Sequence, residues 1–426
     1  MIRPARAWRT TAVLGIAALA LAACGGGDED DPGTTASETS SEGGEATGDG
    51  ELVIGTLLPQ TGNLAFLGPP EFAGVQLAID EINAAGGVNG KEVRKVDSDS
   101  GDTSTDIASQ SVDRLLSENV DAIVGAASSG VSFTVIDKIT GAGVVHFSPA
   151  NTSPDFTDYD DNGLYFRTAP SDVLQGRVMG DVLLNDGYLN VGILALDDPY
   201  GTGLAENIQL SLEGGGGAVT GDGPIIYDPK AASFSAEVTE LAGQNPEAIV
   251  LVGFEETKKI VPELQAQGIG PDTVPLYFVD GNLSDYSADF APGTLEGVKG
   301  TLPGAEADQA FRDALLAVDP ELKDYSYAPE SYDATILIAL AAIAAGDDSG
   351  EAIAANLQAV SAEGEKCSDF KTCADLLADG TDIDYDGKSG PVEFSEAGDP
   401  TQATIGVYQY GADNKYTNLE YVPGTL

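Results

Sequence analysis

The sequence predicts an α/β fold of two doubly wound parallel-sheet lobes. Three observations predict it. Short Val/Ile/Leu-rich runs show no polar alternation, amphipathic stretches separate them, and the pattern restarts near residue 173. A strand covered on both faces reads as a continuous apolar run, and strands alternating with helices build a parallel sheet.

In the first half, 51–58 is a buried strand. Residues 72–85 carry apolar side chains at helical spacing (Phe72, Val75, Ile79, Ile82) and stop at Gly86-Gly87. A strand at 92–96, a helix at 105–118, a strand at 122–125, a helix at 131–139 and a strand at 143–148 follow. The second half gives a helix at 173–185 and a strand at 191–196. It continues with a helix at 204–212, a strand at 225–227, a helix at 234–241, a strand at 248–253, a helix at 257–267 and a strand at 276–279. Beyond residue 301 the order changes. Helices are expected at 310–318, 331–345 and 352–360, and short β runs at 391–394 and 403–410. Paired doubly wound lobes place a ligand site where the carboxyl ends of their strands face each other.

The composition bounds function. The 426 residues are 42% hydrophobic and 21% charged, enough to build cores. Asp and Glu total 69 against 20 Lys and Arg, for a net charge of −49. Such a surface repels phosphate backbones, so nucleic acid is excluded as a partner. The single histidine, His146, stands in an apolar strand without a triad pattern, which argues against histidine-based catalysis and multi-histidine metal sites.

The chain opens as a targeting segment. Arg3, Arg6 and Arg9 precede a short Ala/Leu-rich run, too short to span a bilayer, that ends Leu21-Ala22-Ala23-Cys24. Residues 1–23 read as a signal peptide, and the Leu-Ala-Ala-Cys ending resembles the bacterial lipobox. That resemblance implies cleavage before Cys24 and a diacylglyceryl group on its sulfur. Lipid would then be the membrane anchor, since no other stretch is expected to span. Residues 24–50 form an acidic Gly/Ser/Thr tether without Lys or Arg. Cys367 and Cys373, six apart in a polar stretch of an exported chain, read as a local disulfide.

Two motifs are discounted. Residues 382–393 satisfy the EF-hand calcium-loop pattern, but Ser389 and Pro391 break its geometry and no paired helices flank it. Gly201-Thr202-Gly203 lacks the third glycine of a dinucleotide fingerprint. No metal and no cofactor are expected.

Longer blocks carry a family resemblance. Pro59-Gln60-Thr61-Gly62, the run 74–90 (GVQLAIDEINAAGGVNG), the run 123–129 (IVGAASS), the run 147–154 (FSPANTSP) and the run 198–203 (DPYGTG) resemble the branched-chain amino-acid (Leu/Ile/Val) binding proteins of ABC importers. These have the type I periplasmic-binding-protein fold. The resemblance implies two lobes joined by a hinge of three crossings. Residues 51–170 plus 301–401 would form the N-terminal lobe, and 171–300 plus 402–426 the C-terminal lobe. It also implies a monomeric, lipid-anchored protein on the outer face of the membrane that binds an amino acid, delivers it to permease subunits and catalyses nothing.

The site residues follow from the same resemblance. Ser129 would meet the ligand carboxylate at a helix N-terminus, where free N–H groups and positive potential favour an anion. Capping of its own helix is the bland alternative for this serine. Ala150 would offer a carbonyl, and Thr152 an N–H and a hydroxyl. Tyr200 and Phe254 would wall the side-chain pocket, Phe254 replacing a common Tyr. Leu67 stands at the cleft mouth in place of a common aromatic. Asp280 would hold the ligand's ammonium, against the alternative of a solvated turn. Three rival readings keep or alter this site: a ligand sensor of the same fold, a binder of amides, urea or another small carboxylate, and an exported hydrolase with Ser129 as nucleophile.

Overall fold

The computed structural model describes residues 48–426. The signal peptide, Cys24 and nearly all of the tether lie outside the described residues. The chain enters the first sheet with β1 (Val53–Leu58), then runs α1 (Gly68–Ala84), β2 (Arg94–Asp99), α2 (Ile107–Ser117), β3 (Ala122–Gly125), α3 (Ser129–Thr140), β4 (Val145–Ser148) and β5 (Tyr165–Arg167). The strand order is β2-β1-β3-β4-β5, parallel throughout. One face is covered by α2 and α3, through Val112, Leu115, Val131 and Val135. The other is covered by α1 together with a later helix, through Val75, Ile79, Ile336 and Leu340.

The chain then crosses to the second sheet. Its elements are α4 (Asp172–Asn185), β6 (Asn190–Leu196), α5 (Pro199–Gly214), β7 (Ala218–Val219), β8 (Ile225–Tyr227), α6 (Ser235–Gly243), β9 (Ala248–Val252), α7 (Thr257–Ala266), β10 (Leu276–Phe278) and β11 (Lys299–Pro303). The strands β6, β9, β10 and β11 lie side by side in parallel, with β7 and β8 on the outer side of β6. A second crossing leads to α8 (Gln309–Val318), α9 (Ala328–Ala345), α10 (Gly350–Leu357), β12 (Glu365–Cys367), α11 (Phe370–Ala378) and β13 (Ile383–Tyr385), which pack on the first sheet. A third returns the chain to the second sheet as β14 (Gln402–Tyr410) and β15 (Tyr416–Thr425).

Several expectations are corrected. Residues 391–394 form no strand and make only isolated bridges, Asp386 to Pro391 and Phe394 to Pro400, because Pro391 cannot donate to a ladder. The strand expected at 92–96 sits two residues later, as β2. The second sheet is not wholly parallel, since β14 runs against both β11 and β15. Helix α9 has the length and hydropathy of a spanning segment, contrary to the expectation that no further stretch does, yet 83% of it is buried inside the protein. It is the central core helix of its lobe, apolar all round because other elements surround it.

A disulfide joins Cys367 at the end of β12 to Cys373 in α11. The calcium-like run serves another purpose. The N–H groups of Lys388 and Ser389 and the Ser389 hydroxyl donate to the buried carboxylate of Asp333 on α9, which Tyr385 also reaches. Gly387 lies so close that a Cβ there would stand 2.2 Å from Asp333 Oδ2. Asp384 and Asp386 pair with Lys366.

Candidate ligand-binding cleft

The order of the first sheet reverses between β1 and β3, and that of the second between β6 and β9. Loops diverge at such points and leave a crevice at the carboxyl ends. The two crevices face each other, and matching loops supply the walls. Leu64 and Leu67 follow β1, as Tyr200 follows β6. Ala127, Ser128 and Ser129 follow β3, as Phe254 follows β9. Ala150 follows β4, as Asp280 and Gly281 follow β10. With Tyr327, which precedes α9, they enclose one cavity. About 10 Å³ is free within it, no more than one water occupies. A ligand of several heavy atoms therefore enters only when the lobes part.

The polar end is built on α3. Ser128, not Ser129, is the N-cap, its Oγ accepting from the Val131 N–H at 3.3 Å. Ser129 is the first helical residue, and its Oγ accepts from the Ser153 N–H at 3.3 Å. The alternative that Ser129 caps its own helix is thereby removed. The N–H groups of Ser129 and Gly130 find no acceptor among the described residues, so a helix terminus opens on the cavity. Thr152 does not line the cavity. It is buried, and its carbonyl accepts from the Asp172 N–H at 2.7 Å.

The opposite end is Asp280, 6% exposed and far from a solvated turn. Its Oδ1 accepts from Tyr200 Oη at 2.7 Å and Gln175 Nε2 at 2.9 Å, and its Oδ2 from Tyr327 Oη at 2.7 Å. Burial pushes its carboxyl above the usual carboxylate range, while these donors pull it back. Tyr200 stacks on Phe254 with ring centroids 5.4 Å apart and planes 6° from parallel, which makes a flat apolar wall. Tyr327 was missed from sequence. It holds a left-handed backbone, φ 57°, just before Ala328-Pro329. Pro329 at the start of α9 was the available signal, since proline favours the first helical turn. Gln175 was missed as well, its sequence setting being that of an ordinary helix.

The lobes touch along a rim. Ser153 Oγ donates to the Pro199 carbonyl and Lys230 Nζ to the Thr103 carbonyl, each at 3.1 Å. His146 is fully buried, edge-on to Tyr165. Neither ring nitrogen has a well-aligned hydrogen-bond partner among the described residues, and burial pushes its pKa down to about 3. No hydrogen bond joins His146 to Ser129 among the described residues. Gly201, from the discounted glycine motif, packs against the Leu196 carbonyl and side chain.

The periplasmic binding protein family profile matches residues 51–391. The chain belongs to that family. Among curated relatives of this binding protein, a Leu/Ile/Val-binding protein homolog of Brucella abortus is 28% identical over 388 residues, covering 89% of this chain and 95% of the relative. The fold is shared with LivJ, a branched-chain amino acid transporter substrate-binding protein of Streptococcus pneumoniae solved with isoleucine. Its TM-score is 0.70 at 24% identity, covering 88% of this chain and all of that one. A solute-binding protein of an R. palustris ABC transporter, solved with benzoate, superposes with a TM-score of 0.70 at 20% identity, covering 88% and 98%. The chain is therefore a periplasmic binding protein with the two-lobed type I fold.

Proposed function

We propose that this binding protein is a monomeric lipoprotein on the outer face of the cell membrane that captures a branched-chain type of amino acid and delivers it to an ABC permease. The observation that carries the reading is the polarity of the cleft. An open helix terminus at Ser129 and the buried carboxylate of Asp280 line one cavity together with Leu64, Leu67, Ala127 and Phe254. A zwitterion with an aliphatic side chain has matching charges, and each must be paired because a buried unpaired charge is costly. Ala150 supplies a neutral acceptor on the same wall. Closure of the lobes on the ligand would shift a population from open to closed, the form a permease senses.

A second reading has one observation in its favour. Tyr200, Tyr327 and Gln175 already occupy the oxygens of Asp280, so a ligand without an ammonium, such as an aromatic carboxylate, would leave Asp280 with its partners. Thermal-shift titration of the purified full chain with L-leucine, L-isoleucine, L-valine and benzoate separates the two, since a ligand that binds only the folded state raises the melting temperature. A shift with the amino acids alone supports the first reading. A shift with benzoate alone overturns it.

A further inference from the structure

The first turn of α4 carries three buried acceptor oxygens without a hydrogen-bond partner among the described residues: Oδ1 and Oδ2 of Asp172 and Oε1 of Gln175. Both side chains are completely buried. The Gln175 amide is oriented by its nitrogen. Nε2 donates to Asp280 Oδ1 at 2.9 Å, to Thr301 Oγ1 at 3.1 Å and to the Thr301 carbonyl at 3.3 Å. The reverse orientation would set Oε1 against a carboxylate and a carbonyl, so Oε1 must look for a donor elsewhere. Asp172 lies three residues before Gln175, on the adjacent turn of the same helical face. An ionised Asp172 has only acceptors to offer, but a protonated carboxyl carries one donor.

We infer that Asp172 holds a proton and donates it to Gln175 Oε1, which makes Asp172 a positioning residue for Asp280, acting through the Gln175 amide. One proton placed there partners two of the three oxygens and leaves the third as the carbonyl oxygen of a neutral carboxyl. Asp172 gains an acceptor, Gln175 gains its missing donor, and the amide is held from both ends, with one N–H on Asp280 and the other on Thr301. Two acids this close in a buried site do not both ionise, and the proton stays on the one that lacks donors. Asp280, with three donors, keeps the charge.

The groups around Asp172 favour this assignment. Burial and the Asp280 carboxylate both hold the Asp172 carboxyl well above its usual range, and Asp198 at the start of α5 adds to them. Tyr200, also on α5, is a neutral phenol. From β5, Arg167 pulls the other way, but its guanidinium is committed to Asp399 at 2.6 Å and to the Ser153 carbonyl at 2.7 Å. The Thr152 hydroxyl beside the Asp172 carboxyl also pulls it down, though neither Asp172 oxygen has a well-aligned hydrogen-bond partner among the described residues. The consequence for ligand recognition rests on the amino-acid reading above: a neutral Asp172 keeps Asp280 anionic and fixed for an ammonium.

Infrared difference spectroscopy of the full chain at neutral pH, wild type against each variant, tests the proton directly, with no ligand present. Among the protonated-carboxyl bands, to which buried Glu71 and Glu330 also contribute, one should be lost in Asp172→Asn and kept in Asp280→Asn. A spectrum in which Asp172→Asn removes no such band, or Asp280→Asn removes it instead, overturns the inference. Calorimetric titration with L-leucine then tests the positioning role. Asp172→Asn keeps a neutral N–H donor for Gln175 and should rescue binding to within about threefold of wild type, whereas Asp172→Ala should weaken it roughly tenfold or more. Equal losses in the two variants overturn the positioning role. A wild type that does not bind L-leucine refutes the amino-acid reading and leaves the infrared result standing.

Discussion

The Tyr327 hydroxyl, from the start of a helix packed on the first sheet, donates at 2.7 Å to Asp280 Oδ2 at the carboxyl end of β10 in the second. This hydrogen bond ties the two lobes at the cleft. Tyr327→Phe removes one donor from a buried carboxylate and should cost about 1–3 kcal/mol of stability, read as a lower thermal midpoint. Asp280→Asn removes the charge and should weaken L-leucine binding by roughly 1.5–4 kcal/mol by calorimetry. Unchanged affinity would mean that the ligand has no ammonium.

The lobes also meet where Gly130, at the N-terminus of α3, faces Asp198 at the N-terminus of α5. A Cβ on Gly130 would stand 2.0 Å from Asp198 Oδ2, and the other oxygen of Asp198 is held by the Tyr200 N–H at 2.9 Å. Gly130→Ala should hold the lobes apart and weaken L-leucine binding by about tenfold or more. Adding Asp198→Ala should recover part of that loss, since two residues in contact are energetically coupled. Purely additive effects would refute the steric account.

Stability should fall as pH rises. Glu71 and Glu330 lie in the first turns of α1 and α9, both buried, and neither oxygen of Glu71 has a partner. Burial, with Asp333 nearby, pushes Glu330 up to about 8; burial and Glu330 push Glu71 well above the usual glutamate range. A carboxyl whose folded pKa is raised binds more protons folded than unfolded at intermediate pH. Its contribution is whole below the unfolded pKa and is lost as pH climbs through the folded one. The thermal midpoint of wild type should therefore drop between about pH 5 and about pH 9, and Glu330→Gln should flatten that slope. An equally steep slope in the variant would refute the assignment.

The disulfide closes a loop of six residues. So short a loop constrains the unfolded chain little, and replacing Cys367 and Cys373 together by Ala should cost about 2 kcal/mol in a denaturant midpoint measurement. Peptide mapping of the non-reduced protein should find the two cysteines joined.

The anchor has its own test. Cys24→Ser should move the protein from the detergent phase to the soluble fraction on phase partitioning, because one diacylglyceryl group is the membrane attachment proposed. Unchanged partitioning of the variant would refute lipidation at Cys24.

The sequence by itself determined the layered architecture and most of its helices and strands. Apolar runs such as 248–252 and the spacing of Phe72, Val75, Ile79 and Ile82 report burial locally, without reference to partners. Tertiary structure decided what such patterns do not encode. β15 lies at the sheet edge with mostly exposed, polar residues and no apolar run to announce it. Cys367 marked a disulfide but not the short strand β12 that it ends, whose ladder exists only because β13 lies alongside. Leu67, Ser129, Ala150, Tyr200, Phe254 and Asp280, legible through family resemblance, converge on one cavity because two doubly wound sheets turn their switch points toward each other. Asp172 shows where sequence reasoning stops. After Ser171 it reads as an ordinary acid in a helix's first turn, favoured by the helix dipole. Only the packing of β5, α5 and the Asp280 turn around it removes water from its carboxylate, and burial, which no local pattern records, sets its charge.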